Sequence, residues 1–275
     1  MNYKNIAFIG AGNMASSLVA GLVSQGWPAQ QIFVSDPVVE QCQRLASAHG
    51  VQICADNKSA TLHADVLVLA VKPQLMKTVL GELRETLKQQ RPLLISIAAG
   101  ITLSNLADET SPDLAAVRCM PNTPAMVGLG ATALVANPNC SQENKNLAQT
   151  ILSAVGTALW LSNEAQMDAV TALSGSGPAY YFLMMEAMIS AGVALGLDAE
   201  TASTLTLQTA LGAATMARHS DVPPAELRRR VTSPGGTTEQ ALQRFEQGNF
   251  MGLVREAMQA AEQRSQALAT PAAKS

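Results

Sequence analysis

The chain has few of the residues that build metal centres, disulfide frameworks and nucleic-acid surfaces. Its three histidines are scattered, and its four cysteines (Cys42, Cys54, Cys119 and Cys140) form no CxxC pair. The sequence therefore predicts no bound metal. The formal net charge of −3 leaves no basic surface for nucleic acid. Dispersed free thiols are typical of a reducing compartment, so we expect a cytoplasmic protein.

The second half of the chain has very little charge of either sign. No lysine occurs between Lys145 and Lys274, and His219 is the one histidine in that stretch. Residues 165–216 carry four charged side chains, which are Asp168, Glu186, Asp198 and Glu200. A small domain cannot easily hide so much apolar surface, and we therefore expect self-association.

One segment of this half has the length of a membrane span. Ala179–Leu197 contains a single charge, Glu186, and is long enough to cross a bilayer. No positively charged flank anchors it, which favours a helix buried in an oligomer interface over a membrane helix. We expect no membrane association.

A glycine-rich turn follows the first apolar run. Gly10-Ala11-Gly12-Asn13-Met14-Ala15 comes directly after Ile6–Ile9 and opens a helical pattern. Gly10 permits a tight turn, Gly12 lets the backbone approach a pyrophosphate, and Ala15 is small enough for helix–sheet packing. This context predicts a dinucleotide site, with a glycine turn in an unrelated α/β protein as the alternative.

The first 160 residues alternate strand and helix patterns, and the rest is helical. This rhythm predicts an α/β Rossmann-like dinucleotide-binding domain over residues 1–162, followed by an all-α dimerisation domain over residues 163–275. The predicted strands are Asn5–Ile9, Gln30–Ser35, Val51–Cys54, Asp65–Val71, Leu93–Ala98, Leu114–Cys119, Ala131–Val135 and Ala158–Leu161. The predicted helices are Asn13–Gln25, Val38–His49, Asn57–Leu62, Met76–Gln89, Gln142–Ala154, Ala165–Leu173, Pro178–Leu195, Ala199–His219, Ala225–Val231, Thr237–Gln247 and Phe250–Ala269. We expect the tail Thr270–Ser275 to fray.

Polar residues follow several predicted strands at the edge where open α/β sheets bind ligands. Asp36 suits the hydroxyls of an adenine ribose and repels a 2′-phosphate, which favours NAD, although Ser35 could bond a phosphate. The alternative is that Asp36 caps the following helix, with Pro37 at its first position, and both roles could coexist. Lys72 could serve a phosphate or a ribose, or could simply be solvated. Asn57 is either a helix cap or a ribose contact.

Three later loops also combine rigidity with polar groups. Arg118–Ala125 places two prolines around Asn-Thr after a strand, and Leu173–Ala179 places two glycines between helices; either could be structural or part of a site. Val231–Thr238 has two glycines, whose N–H groups we expect to be open, and hydroxyl donors in Thr237 and Thr238. It predicts a nest for a small carboxylate, with an ordinary capped turn as the alternative.

The residue inventory also bears on the reaction. Oxidation of an alcohol needs a general base, which is a lysine or histidine after the domain boundary in hydroxyacid dehydrogenases of this layout. Residues 164–190 contain neither. Reduction of a C=N bond needs no such base, because an imine can arrive protonated from water. A hydroxyl such as that of Thr238 can then orient its nitrogen. The absence therefore favours imine reduction.

Five segments together resemble the pyrroline-5-carboxylate reductase family. They occur in order over nearly the whole chain and are Gly10–Ala15, Val71–Pro73, Met120–Ala125, Ala172–Ala179 and Thr232–Thr238. The resemblance implies an enzyme that reduces 1-pyrroline-5-carboxylate to L-proline with NADH or NADPH, the last step of proline biosynthesis. It also implies homodimers that assemble into larger rings such as decamers.

The resemblance assigns residues to the two ligands. It implies a cofactor site formed by Gly10, Ala11, Gly12, Asn13, Met14, Ser35, Asn57, Ala70, Val71, Lys72 and Pro73, to which the charge argument above adds Asp36. It implies a substrate site formed by Ser176, Ser233, Gly235, Gly236, Thr237 and Thr238, in which Thr238 faces the ring nitrogen and is catalytic. Some relatives carry Asn-Arg after the second strand, which suits NADPH, whereas this chain has Asp36-Pro37.

Two other functions are compatible with these residues. One is a related imine reductase or 3-hydroxyacid dehydrogenase of the same architecture. The other is a non-catalytic NAD(P) sensor, which would have no need of the second anion loop. Assays of hydride transfer with 1-pyrroline-5-carboxylate and with 3-hydroxy acids separate the enzymes, and a sensor would bind NAD(P)H and turn over neither.

Overall fold

The computed structural model describes residues 3–269. Its strands are β1 Ile6–Ile9, β2 Ile32–Ser35, β3 Gln52–Ile53, β4 Val66–Leu69, β5 Leu93–Ser96, β6 Ala116–Met120, β7 Gly130–Ala136 and β8 Gly156–Trp160. The helices among them are α1 Asn13–Ser24, α2 Val39–His49, α3 Asn57–Leu62, α4 Met76–Gln90, α5 Leu103–Glu109 and α6 Gln142–Ser153. The later helices are α7 Met167–Val170, α8 Gly177–Ala194, α9 Ala199–His219, α10 Pro224–Arg230, α11 Thr237–Gln247 and α12 Phe250–Ala269.

The strands form one sheet in the order β3-β2-β1-β4-β5-β6-β7-β8. The first six in that order are parallel, while β7 runs antiparallel to β6 and parallel to β8. All residues of β1 and β4 are buried because helices cover both faces, which is the reason that these strands are apolar without alternation. The strand order reverses between β1 and β4, so the carboxyl ends of these two strands border the crevice of a doubly wound sheet. The predicted Rossmann-like fold is confirmed.

The described chain divides into two compact units. The first contains residues 3–176 and 261–269, and the second contains Gly177–Ala260. Two apolar cores lie on the two faces of the sheet in the first unit, one around Phe8 and Leu18 and the other around Leu67 and Leu80. The second unit consists of helices, as predicted. The predicted boundary after residue 162, between a cofactor domain and a dimerisation and substrate domain, stays a prediction.

The structure differs from the predicted elements in several places. Helix α5 was not predicted; it is short and begins with a capping box between Thr102 and Asn105. The predicted helix Ala165–Leu173 is a 3₁₀ turn, the short α7 and a π-helical turn over Thr171–Gly175. The strands at Asp65–Val71 and Leu93–Ala98 end earlier than predicted, at Leu69 and Ser96, which frees the following residues to form loops. The predicted tail Thr270–Ser275 lies outside the described residues.

The second unit leaves many apolar side chains in contact with solvent. Tyr181, Leu183, Leu195 and Met251 are each at least 66% exposed in the single chain. Helix α8, which covers most of the apolar segment Ala179–Leu197, has one buried residue, Gly177. Within residues 3–269, no helix combines the length and the apolar composition that crossing a bilayer demands.

Candidate active site

The glycine turn after β1 has the geometry that its sequence predicts. Gly10 has φ of +99°, and a Cβ there would lie 2.6 Å from the carbonyl oxygen of Ala70. At Gly12, which precedes α1, a Cβ would meet no atom of the described residues within 4 Å. No side chain caps α1 and its first turn has no acid. Gly10 is therefore required by the fold, whereas Gly12 faces open space at the end of an uncapped helix.

Asp36 is bound to the same turn. Its Oδ2 accepts a hydrogen bond of 2.8 Å from the N–H of Ala11, and its Oδ1 accepts one of 2.8 Å from the N–H of Val38. Helix α2 begins at Val39 with Val38 as its N-cap, so the alternative that Asp36 caps a helix starting at Pro37 is wrong. Pro37 and Val38 instead form a short connection between β2 and α2. Asp36 binds the N–H of Val38 in this connection and the N–H of Ala11 in the glycine turn.

Ser35 and Asn57 meet beside Asp36. The Ser35 hydroxyl donates a hydrogen bond of 2.9 Å to Oδ1 of Asn57. The cap of α3 is Asp56, which forms a capping box with Ser59, so the cap alternative for Asn57 is wrong. The Asn57 side chain is thus directed at β2, and it places an amide next to the hydroxyl that could bond a ribose phosphate.

The loop after β4 lies next to the glycine turn because of the strand register. Ile9 pairs with Ser35 on one side and with Leu69 on the other. The Gly10 N–H donates to the carbonyl of Ser35 at 2.8 Å, and the Ala70 N–H donates to the carbonyl of Ile9 at 2.8 Å. Lys72 is exposed and precedes a 3₁₀ turn that starts at Pro73. The structure therefore brings together the predicted cofactor residues at one edge of the sheet.

Two loops whose role the sequence left open contact each other in the first unit. The buried Asn122 donates through Nδ2 to the carbonyl of Ser174 at 3.0 Å and accepts at Oδ1 from the N–H of Ala131 at 2.9 Å. A Cβ at Gly175 would lie 2.5 Å from Cε of Met120. Ser176 follows directly, and its N–H donates to the carbonyl of Thr171 at 2.8 Å. The predicted substrate residue Ser176 is thereby held against the loop after β6.

Two of the carboxylates that follow β8 already have hydrogen-bond donors. Glu164 Oε1 accepts from Nη1 of the buried Arg118 at 2.8 Å and from the N–H of Leu103 at 2.9 Å. Asp168 Oδ1 accepts from the Ser265 hydroxyl at 2.7 Å. Neither is an unengaged general base, which agrees with the lack of lysine and histidine in residues 164–190.

The loop between α10 and α11 forms a tight turn in the second unit. Gly235 has φ of +71°, and the Gly236 N–H donates to the carbonyl of Ser233 at 3.0 Å. The Gly235 N–H donates to Oε2 of Glu239 at 2.8 Å. The prediction that both glycine amides are open is therefore wrong, because the turn uses one and a side chain takes the other.

The two threonines at the start of α11 supply further donors. No side chain caps α11 at Gly236, and within residues 3–269 the hydroxyls of Thr237 and Thr238 have no hydrogen-bond partner. Thr238 is half-buried and lies at the second position of the helix. The loop can therefore present the Thr238 hydroxyl and first-turn amides to an anion. Sequence reasoning missed Glu239, although an acid at the third position of a helix is a recognised capping signal.

The cysteines are not placed for chemistry. All four are free thiols, and Cys42, Cys119 and Cys140 are buried. Burial raises the pKa of the Cys119 thiol above its ordinary value, which disfavours a reactive thiolate. Among the described residues, no group of three His, Cys, Asp or Glu side chains could hold a metal ion.

Two family models match the chain. Residues 164–268 match pyrroline-5-carboxylate reductase dimerisation, and residues 5–100 match NADP oxidoreductase, coenzyme F420-dependent. A pyrroline-5-carboxylate reductase of Pseudomonas aeruginosa is 55% identical over 269 residues, which cover 98% of both chains. One of Haemophilus influenzae is 44% identical over 98% of this chain and 99% of its own.

Solved structures agree with these relatives. The pyrroline-5-carboxylate reductase of Coxiella burnetii superposes with a TM-score of 0.94 at 45% identity, covering 98% of this chain and 100% of its own. The Plasmodium falciparum enzyme, whose crystal structure has NADP bound, superposes with a TM-score of 0.87 at 32% identity over 98% of this chain and 100% of its own.

Proposed function

This chain belongs to the pyrroline-5-carboxylate reductase family, and we propose how its residues share the work of that family's reaction. It is an NAD(P)H-dependent oxidoreductase that reduces 1-pyrroline-5-carboxylate to L-proline, the last step of proline biosynthesis. The observation that carries this function is the 55% identity to such an enzyme over the full length of both chains.

The cofactor is assigned to the carboxyl edge of the parallel strands. Gly12 supports this assignment. Among residues 3–269 no atom lies close enough to require a glycine there, whereas a pyrophosphate at the uncapped start of α1 would require one. Gly10, Ala11, Asn13 and Met14 complete the turn. Ser35, Asp36 and Asn57 are assigned to the adenine ribose, which their hydrogen bonds at the end of β2 support. Ala70–Pro73, after the adjacent strand β4, are assigned to the rest of the cofactor. When bound, the reduced nicotinamide supplies a hydride.

Asp36 carries a proposal on cofactor preference. Its carboxylate is fixed by two amides at the end of β2, so it cannot turn away from a ligand there without breaking both hydrogen bonds. A fixed negative charge repels a 2′-phosphate and accepts hydrogen bonds from ribose hydroxyls. NADH is therefore the preferred cofactor of this chain, with Ser35 and Asn57 leaving NADPH usable.

The substrate is assigned to Ser176 and the loop Ser233–Thr238. The carboxylate of 1-pyrroline-5-carboxylate binds the donors of Ser233 and Thr237 and the Gly235 N–H, which it takes over from Glu239, at the positive end of the α11 dipole. Gly236 lines the site and keeps its own N–H in the turn. Thr238 is the catalytic residue, and its hydroxyl oxygen accepts a hydrogen bond from the N–H of the iminium and orients the ring nitrogen. A substrate that arrives as the iminium already carries its proton and needs no general acid from the protein, because hydride addition neutralises it.

The chemistry supports imine reduction over alcohol oxidation. Glu164 is paired with Arg118, and Asp168 accepts from Ser265, so neither is poised to take a hydroxyl proton. Lysine and histidine are missing from residues 164–190. These facts disfavour a 3-hydroxyacid dehydrogenase of the same architecture.

The two regions divide the work in this proposal. Residues 1–162 bind the cofactor, and residues 163–275 supply the substrate loop and the contacts between subunits. The chain self-associates through the region that matches the dimerisation family. The dimers assemble further into decamers in the reducing cytoplasm. Assembly is supported by the exposed apolar side chains of α8, α9 and α12. The cytoplasmic location is supported by the four free thiols.

Steady-state assays of one preparation test the proposal. We expect oxidation of NADH and NADPH with 1-pyrroline-5-carboxylate, higher kcat/KM with NADH, and no turnover with NAD and 3-hydroxy acids. Cofactor binding without turnover of the imine would identify a sensor instead. Sedimentation equilibrium distinguishes dimers from decamers.

A further inference from the structure

The loop assigned to the substrate carboxylate already holds a carboxylate of the protein. Oε2 of Glu239 accepts the hydrogen bond of the Gly235 N–H at 2.8 Å, while the Gly236 N–H is used inside the turn by the carbonyl of Ser233. Glu239 lies at the third position of α11, one residue after the proposed catalytic Thr238. The acid is therefore placed where an incoming anion needs the same donor.

Two carboxylates cannot share one amide donor without strong repulsion. A bound substrate that uses the Gly235 N–H must displace Glu239, and the lost hydrogen bond opposes binding. We propose that Glu239 is an internal competitor for the substrate carboxylate and weakens the affinity of the loop for its substrate. This inference depends on the proposed function, because it takes the Ser233–Thr238 loop as the carboxylate site.

The structure offers the displaced side chain another partner. Glu239 borders a cavity of about 330 Å³ whose wall includes Arg228 and Arg229. The Arg229 guanidinium is bonded twice to Glu226, at 2.7 Å each. Arg228 has no ion pair within the described part of the chain. Glu239 can thus exchange the amide for the Arg228 guanidinium when the substrate arrives.

A purely structural role predicts the opposite effect. An acid at the third helical position that bonds an amide before the helix stabilises the start of that helix. If Glu239 only held the loop in shape, its removal would loosen the site and raise KM for the substrate. The direction of the change in KM therefore decides between the two roles.

The experiment measures KM for 1-pyrroline-5-carboxylate and the inhibition constant of L-proline in the full-length enzyme. We expect Glu239→Ala to lower both by about three- to tenfold, with kcat changed by less than about twofold. Glu239→Gln keeps the shape but removes the charge, and we expect a decrease of the same sign. Glu246→Ala is the matched control, since it removes an acid from the same helix and the same cavity wall without touching the loop amide.

An unchanged or raised KM in both Glu239 variants would overturn the inference. Ser233→Ala tests the underlying site separately, because it removes a proposed carboxylate donor and should raise KM. If Ser233→Ala raises KM and the Glu239 variants do not lower it, only the competitor role is wrong. If none of the three changes KM, the carboxylate site is elsewhere, and both the assignment and the inference fail.

Discussion

The carboxylate of Asp36 accepts a hydrogen bond of 2.8 Å from the backbone N–H of Ala11. This contact joins the end of β2 to the glycine turn after β1, across 25 residues of sequence. One side chain therefore both shapes the turn and fixes a negative charge at the proposed position of the adenine ribose.

Removal of the Asp36 charge should shift the cofactor preference. We expect Asp36→Ala to raise the ratio of kcat/KM with NADPH to kcat/KM with NADH by about tenfold, because the repulsion of the 2′-phosphate is lost. KM for both cofactors should also rise, since the turn loses its tie. Asp65→Ala is the control: Asp65 accepts from the Asn5 N–H at 2.8 Å at the opposite end of the sheet, and its loss should leave the ratio unchanged. An unchanged ratio in Asp36→Ala would mean that the 2′ position is recognised elsewhere.

Substitution of the two glycines of the turn by alanine should have different effects, one on cofactor affinity and the other on stability. Gly12→Ala should keep the melting temperature of the enzyme but raise Kd for NADH by about tenfold or more, because the new methyl group occupies the space assigned to the pyrophosphate. Gly10→Ala places a Cβ 2.6 Å from the Ala70 carbonyl at φ of +99°, and should destabilise the fold by about 1–3 kcal/mol. Thermal unfolding and cofactor fluorescence titration measure the two effects. Normal NADH affinity in Gly12→Ala would remove the pyrophosphate from that position.

Loss of the Thr238 hydroxyl should slow the chemical step. We expect Thr238→Val to lower kcat by about tenfold or more, since one hydrogen bond to the reacting nitrogen contributes roughly 1.5–3 kcal/mol. Thr238→Ser retains the hydroxyl and should retain most of kcat. Steady-state kinetics at saturating cofactor measure both. An equal kcat in Thr238→Val and the native enzyme would exclude Thr238 from the mechanism.

The ion pair of Arg118 and Glu164 should stabilise the first unit. The Arg118 side chain is only 5% exposed, and removal of its partner would leave a buried charge. We expect Glu164→Gln to lower the free energy of unfolding by about 2 kcal/mol, a value reduced for the 29% exposure of Glu164. Glu85→Gln, which breaks the exposed pair with Lys88, should leave the urea midpoint unchanged. Equal midpoints for the two variants would show that the buried pair contributes nothing.

The local pattern of apolar residues and helix breakers was sufficient to predict many of the helices and strands. The helices Ala199–His219, Thr237–Gln247 and Phe250–Ala269 have the bounds that the sequence predicts, because their apolar spacing and flanking breakers are strong. The short α5 was missed, since seven residues give too few turns to show a period. The π-helical turn at Thr171–Gly175 was also missed, because a bond from residue i to i+5 leaves no mark on hydrophobic spacing.

The sequence by itself determined the dinucleotide turn, the alternation of strands and helices, the apolar second unit and the family. All of these depend on residues close together in the chain or on the order of short motifs. The tertiary structure decided which polar groups are already occupied: Asp36 by Ala11, Asn122 by Ser174, and Glu164 by Arg118, 46 residues away. Strand order and register set these partners, because a hydrogen bond forms only where the folded backbone brings donor and acceptor within about 3 Å.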